Sequence, residues 1–145
     1  MIRMLSAMLC ALLFAGSASA QQVNVSGTWR CTVNAQSSDP ASNYGLEVDV
    51  QIAPNGQLSG RGVVIYPQLS NPFTQIQGFG DWSVLPSDNP ANAPLVKMRL
   101  QPQAGNHPIV SWFARPAGQG RMYNLFQGTA QNGHQVQVET QCMRM

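Results

Sequence analysis

The sequence predicts an all-β domain: an eight-stranded antiparallel up-and-down β-barrel closed by a disulfide between its first and last strands. Apolar and polar residues alternate with a period of two along most of the chain, which is the pattern of half-buried strands. Turn-forming residues separate these segments, and no segment shows a helical stripe of useful length. Two cysteines, Cys31 and Cys142, lie in the first and the last segments.

Residues 1–20 have the layout of a secretory signal peptide. Arg3 gives a basic start, a mostly apolar run follows from Met4 to Ala15, and small residues form an A-x-A-like cleavage site before Gln21. The apolar run is short for a bilayer span, so a retained anchor is the weaker alternative. We therefore expect a periplasmic or secreted protein whose mature chain, residues 21–145, is one barrel domain without a membrane span.

Eight segments carry the strand pattern. The second shows it most clearly, since every other residue is apolar: Leu46, Val48, Val50 and Ile52. Pro54-Asn55-Gly56 then gives a strong turn signal, and Asn132-Gly133 gives another before the last strand. Gly60 and Gly62 in the third segment indicate a bend or a bulge. The predicted strands cover residues 23–34, 44–53, 57–67, 74–84, 94–101, 108–116, 121–129 and 134–143.

The cysteines favour a barrel over a sandwich, although eight short strands fit either architecture. Cys10 lies within the signal peptide, so export leaves Cys31 and Cys142, which we expect to pair. A closed barrel makes the first and last strands neighbours, whereas an immunoglobulin-type bridge joins two middle strands. Closure also removes the exposed strand edges that invite aggregation.

The same two cysteines set a register between the first and last strands. If Cys31 faces Cys142 in an antiparallel pair, Trp29 faces Arg144 on the same side of the sheet. With Gly27-Thr28-Trp29, the chain then resembles the calycins, the lipocalin and avidin-like barrels, many of which open with Gly-x-Trp and pack a basic residue of the last strand across that tryptophan. The resemblance implies a closed barrel end built by Trp29 and Arg144, and a small-molecule cavity or, occasionally, a protein partner.

Charge is sparse and nearly balanced. The chain has eight Lys and Arg residues against six Asp and Glu, a net charge of +2 that loss of Arg3 with the signal peptide would lower by one. Nucleic-acid binding needs a basic stripe, and electrostatic membrane attachment needs a polybasic segment. We therefore expect neither kind of partner.

No group of residues has the spacing of a catalytic or metal site. His107 precedes a proline at a turn, His134 follows a hairpin turn, and neither has a second histidine or a cysteine at metal-ligand spacing. Asp81 is most simply interpreted as a strand-end carboxylate. We therefore expect a protein that is not an enzyme, with no catalytic residues, no metal and no cofactor.

Aromatic residues of the later strands are the candidate ligand contacts. Trp82, Trp112 and Tyr123, beside neighbouring amide and hydroxyl side chains, offer an apolar lining with a few polar groups. An eight-stranded barrel has room either to fill with side chains or to hold one small ligand. Strand six carries an aromatic residue on each face, so either Trp112 or Phe113 must point outward or into a contact.

Two functions stay open. The first is an exported binding module for a small apolar or amphipathic ligand, contacted by the three aromatic residues above. The second is a protein-interaction module, such as an inhibitor of an exported hydrolase, that acts through the long loops 67–73 and 85–93. A filled barrel with exposed loop residues would favour the second. An enzyme is the third and least favoured reading.

Overall fold

Eight β-strands close into one antiparallel up-and-down barrel in a computed structural model that describes residues 23–86, 89, 91–103 and 107–145. Each strand pairs with its neighbours in the sequence, and the last strand pairs with the first. The predicted fold class is therefore confirmed. The strands are β1 Gly27–Ser37, β2 Tyr44–Ile52, β3 Gln57–Ile65, β4 Phe73–Leu85, β5 Leu95–Pro102, β6 Val110–Gly118, β7 Arg121–Thr129 and β8 Gln135–Arg144.

The predicted strand boundaries agree with the observed ones within a few residues, and the largest difference is in β1. β1 begins at Gly27 rather than at residue 23, because the Asn24 side chain accepts hydrogen bonds from the Ser26 amide and hydroxyl and turns the chain there. A single 3-10 turn, Pro40–Ser42, links β1 to β2. In the described part of the chain, no helix has the length and apolar character needed to cross a membrane. The predicted signal peptide, residues 1–20, lies outside the described residues.

Side chains from alternate positions of the strands fill the barrel interior. They form one buried apolar cluster that continues from Val25, beside the start of β1, to Val110 at the start of β6. Burial removes roughly 25 cal/mol of unfavourable hydration per Å² of apolar surface, so this cluster is the main stabilising element of the fold. Its largest fully buried members include Leu46, Ile52, Met98, Leu100, Trp112 and Met122.

β1 and β8 are joined both by hydrogen bonds and by a covalent bond. Cys31 and Cys142 lie directly opposite each other in an antiparallel ladder of nine residue pairs, and their sulfur atoms form a disulfide. Both cysteines are buried in the barrel interior. The predicted first-to-last-strand bridge and its register are confirmed.

Inward-facing glycines in β3 and β4 let these strands lie close to the backbone of their paired neighbours. A methyl group placed on Gly62 would overlap the carbonyl oxygen of Glu47, and one placed on Gly80 would overlap the carbonyl oxygen of Arg99. These obstacles are backbone atoms, which cannot move aside as a flexible side chain can. The barrel therefore requires glycine at these positions. Within a strand, glycine is otherwise unfavourable because it loses more backbone freedom on folding than any other residue.

Trp29 and Arg144 close one end of the barrel, as the register predicts. The guanidinium carbon of Arg144 lies 4.5 Å from the centroid of the indole ring, and Nη1 donates a 2.6 Å hydrogen bond to the carbonyl of Ser26. The indole Nε1 of Trp29 donates to the carbonyl of Val25 at 2.8 Å. The segment that precedes β1 is thus fixed across this end.

Replacing Arg144 by alanine is expected to lower the free energy of unfolding by about 1 kcal/mol, because the cation–π contact and the bond to the Ser26 carbonyl are both lost. The emission of Trp29 should change in the same variant. Denaturant unfolding followed by fluorescence measures both effects. Arg144→Lys keeps the charge but loses the planar stacking, so an intermediate effect is expected; unchanged stability in the alanine variant would contradict the prediction.

Candidate functional site

The structure brings two of the three predicted ligand-contacting residues to the barrel interior and leaves the third outside. Trp112 and Trp82 are inward-facing cross-strand neighbours of the buried Met98. The indole Nε1 of Trp82 donates to the carbonyl of Ala53 at 2.7 Å, which holds this side chain at the closed end. Tyr123 lies on the outer face of β7 and is 41% exposed. The three therefore do not line one common cavity, and their role in ligand binding stays a prediction.

Trp112 lies in a filled part of the interior. The residue is 1% exposed, and its indole Nε1 is buried without a hydrogen-bond partner. Leaving such a donor unpaired costs about 1–3 kcal/mol, which the packing of this large side chain must offset. Because the nitrogen has almost no accessible surface, no water-sized space adjoins it.

Phe113 points outward from β6 while Trp112 points inward, as the presence of aromatic residues on both faces of this strand requires. The ammonium nitrogen of Lys97 lies 5.8 Å from the centroid of the Phe113 ring. The outward aromatic residue therefore belongs to the surface of the barrel wall between β5 and β7.

The barrel wall is weakest between β6 and β7. Only three residue pairs join these strands, Arg115↔Tyr123, Pro116↔Met122 and Gly118↔Arg121, all beside the turn that connects them. β6 stays paired with β5 back to Val110, and β7 stays paired with β8 to Thr129. Residues 110–114 of β6 and 124–129 of β7 thus form what we call the open seam, two strand edges without a ladder between them.

The sequence around the turn accounts for this interruption. The last β6–β7 pair, Arg115↔Tyr123, lies just beyond an irregular stretch of β6 that includes Pro116. The register shifts between Pro116 and Gly118, and such an irregularity bends a strand away from its neighbour. The turn itself needs left-handed backbone at Gly118, Gln119 and Gly120, with φ of 78°, 52° and 68°.

Apolar side chains are exposed along the open seam. Tyr123 and Leu125 lie on the outer face of β7, and Leu125 is 45% exposed. Phe126 occupies an inward register position opposite Val138 of β8, yet it is 52% exposed because no residue of β6 pairs with it. We call the set of apolar residues at this place the seam patch: Ile109, Phe113, Tyr123, Leu125 and Phe126. Exposed apolar clusters of this kind mark interaction sites.

Positive charge borders the seam patch at its closed-end side. The described residues contain two salt bridges, Arg30–Asp49 and Arg99–Asp81. Hydrogen bonding to Arg99 lowers the pKa of Asp81, so this carboxylate is already engaged at neutral pH. Arg115 and Arg121, at the end of the β6–β7 ladder, belong to neither bridge, although Nη1 of Arg115 donates to the carbonyl of Ala93 at 2.6 Å in the loop between β4 and β5.

Each of the two histidines lies within hydrogen-bonding distance of a loop residue. The hydroxyl of Tyr66 lies 3.2 Å from Nε2 of His107, whose Nδ1 lies 2.8 Å from the carbonyl of Pro108 and must therefore donate to it. Nδ1 of His134 lies 3.2 Å from the hydroxyl oxygen of Ser38. Across the part of the chain that the structure describes, no group of His, Cys, Asp and Glu side chains could hold a metal ion.

The outer wall carries open grooves, and the predicted interaction loops are only partly described. One groove of about 450 Å³ crosses β8, β1 and β2 and is lined largely by polar side chains such as Thr32, Asn34 and Glu47. Loop 67–73 exposes Leu69 and Phe73. Loop 85–93 includes residues outside the described ranges, so its part in binding stays a prediction.

Comparison with known proteins gives no family for this chain. No protein-family model matches the sequence, and no curated protein is significantly similar to it. The closed barrel of eight antiparallel strands is compatible with a calycin-like fold.

Proposed function

We propose that the chain is an exported binding module that recognises another protein through the seam patch. The observation that carries this proposal is a contrast between the two faces of the wall. The interior is filled around Trp112, whereas Tyr123 and Leu125 expose 41% and 45% of their surface on the outer face. Protein interfaces have apolar and aromatic residues at their centres, with arginine enriched among them. The seam patch beside Arg115 and Arg121 has this composition.

Export is supported by the disulfide, because such bonds persist in oxidising compartments such as the periplasm or the exterior of the cell. The resemblance to calycins is part of the same proposal, since it implies a small-molecule cavity or, occasionally, a protein partner. Binding a small apolar or amphipathic ligand inside the barrel is less well supported, because it requires the interior around Trp112 to rearrange.

The experiment uses a photo-reactive amino acid at Leu125, with Gln75 on the outer face of β4 as the control position. Both side chains are exposed, but only Leu125 belongs to the seam patch. We expect a discrete protein adduct from Leu125 among exported proteins and none from Gln75.

The protein identified in this way is then titrated against purified variants. Leu125→Asp is expected to weaken binding at least tenfold, about 1.4 kcal/mol, because it places a charge at the centre of an apolar contact. Gln75→Asp should bind like the unmodified protein. Adducts of equal yield at both positions, or an affinity indifferent to Leu125→Asp, would reject the proposed function.

A further inference from the structure

The hairpin between β7 and β8 determines which residues of β7 hydrogen-bond to β8 and which turn their backbone groups towards β6. The amide of Ala130 donates to the carbonyl of His134, so this pair is hydrogen-bonded. In an antiparallel ladder hydrogen-bonded and non-hydrogen-bonded pairs alternate. The even-numbered residues of β7 therefore bond to β8, and the odd-numbered residues turn their N–H and C=O groups towards β6. The pairing of Tyr123 with Arg115 of β6 agrees with this assignment of the odd-numbered residues.

The edge of β6 that faces β7 follows in the same way from the pairing of β5 with β4. The amide of Gln103 donates to the carbonyl of Gln77, so the odd-numbered residues of β5 bond to β4 and its even-numbered residues bond to β6. In β6 the groups left for β7 are then those of Ser111 and Phe113.

The edge of β7 in the open seam presents the N–H and C=O groups of Leu125, Gln127 and Thr129. No strand pairs with these residues on that side in the described part of the chain. Backbone groups of this kind are obligatory hydrogen-bonding groups, and an edge that presents them in a row is a template for another extended chain. The position of the seam patch on the same edge adds apolar contacts to this template.

We propose that an extended segment of the partner protein adds to the edge of β7 as a further strand. This inference rests on the proposed function and names the form of the partner at the same site. Strand addition takes its affinity from main-chain hydrogen bonds and its specificity from alternate side chains. The segment should alternate apolar residues, which pack on Tyr123 and Leu125 of the outer face, with polar ones. Charge complementarity with Arg121, at the start of β7, requires an acidic residue at one end.

In the free protein, the inference predicts an alternation in amide hydrogen exchange along β7. Leu125, Gln127 and Thr129 should exchange about a hundredfold faster than Asn124 and Phe126, whose amides bond to β8. Nuclear magnetic resonance measures these rates residue by residue. Uniform protection along β7 would overturn the assignment of a free edge.

The binding test uses a synthetic peptide as the probe: blocked at both ends, alternating valine with threonine and carrying a glutamate at each end. We expect the peptide to slow exchange at Leu125, Gln127 and Thr129 at least tenfold. Gln127→Pro removes one of the free N–H groups and should abolish this protection, whereas Gln127→Ala keeps the N–H group and should retain it. If the proline variant fails to fold, the exchange rates of the unmodified protein with and without peptide still test the proposal.

Three other outcomes overturn strand addition. Shifts confined to the side chains of the seam patch, without amide protection, would leave the proposed function in place and reject the added strand. Protection that appears without peptide and grows with protein concentration would assign the edge to a second copy of this chain. An unchanged spectrum across the seam, together with specific cross-links from Leu125, would show that the partner binds the patch in another form.

Discussion

Replacing Cys31 and Cys142 together by alanine is expected to lower the free energy of unfolding by about 4–5 kcal/mol in the chain-entropy model. The bridge closes a loop of 111 residues, so its loss frees almost the whole unfolded chain. Such a change is a large part of the total stability of a domain of this size.

Urea unfolding of the double variant, beside the unmodified protein with and without reductant, measures the effect. The double variant should match the reduced protein and should be insensitive to reductant. In denaturant without reductant, a thiol reagent should modify neither Cys31 nor Cys142 of the unmodified protein. Equal stability of the variant and the oxidised protein would contradict the chain-entropy account.

Replacing Gly80 by alanine is expected to destabilise the barrel by about 3 kcal/mol, because the added methyl group overlaps the carbonyl oxygen of Arg99 on the paired strand. Gly45 provides the matched control within the same barrel. A methyl group there meets its nearest atoms, on Ile65 and Val33, at 3.5 to 3.6 Å, which is ordinary contact.

Gly45→Ala should therefore change stability by no more than about 0.5 kcal/mol. Thermal and denaturant unfolding of the two variants compare the sites directly. Equal effects at Gly80 and Gly45 would show that the β4–β5 contact relaxes more easily than backbone atoms allow.

The strands and the closure of the barrel could be predicted from the sequence because local and long-range signals agree. The alternation through Leu46 to Ile52 requires one buried face, and the turn at Asn55-Gly56 sets the next strand antiparallel. Cys31 and Cys142 then fix a register over the full length of β1 and β8, including the contact between Trp29 and Arg144. Consistency at these levels is what lets a sequence specify one fold.

The open seam could not be predicted in the same way, because strand pairing depends on how two separate segments approach. The glycines on either side of Gln119 indicate a turn, but a turn of this kind also joins strands that stay paired along their whole length. Phe126 illustrates the difficulty. Its position in the alternation assigns it to the interior, and only the missing neighbour on β6 leaves it exposed.

The candidate ligand residues show a second reason why a site is harder to predict than a fold. Judged by residue type alone, Trp82, Trp112 and Tyr123 are equally good ligand contacts. The alternation within β7 sets Tyr123 apart, because Met122 is buried and its neighbour Tyr123 must point outward. Whether the space beside an inward residue is open or filled depends on the volumes of all its neighbours. The packing of Trp112 is a property of the assembled core.

The disulfide changes which strands are the ends of the sheet. In an up-and-down barrel the cut that unrolls the sheet into sequence order falls between the first and last strands. Here a covalent bond links β1 to β8 as firmly as a hairpin links consecutive strands, while the scarcest pairing lies between β6 and β7. Unrolled at its weakest line, the sheet has the order β7, β8, β1, β2, β3, β4, β5, β6, and its margins are two strands from the interior of the sequence. The barrel should therefore begin to unravel there, with its chain ends still attached to each other.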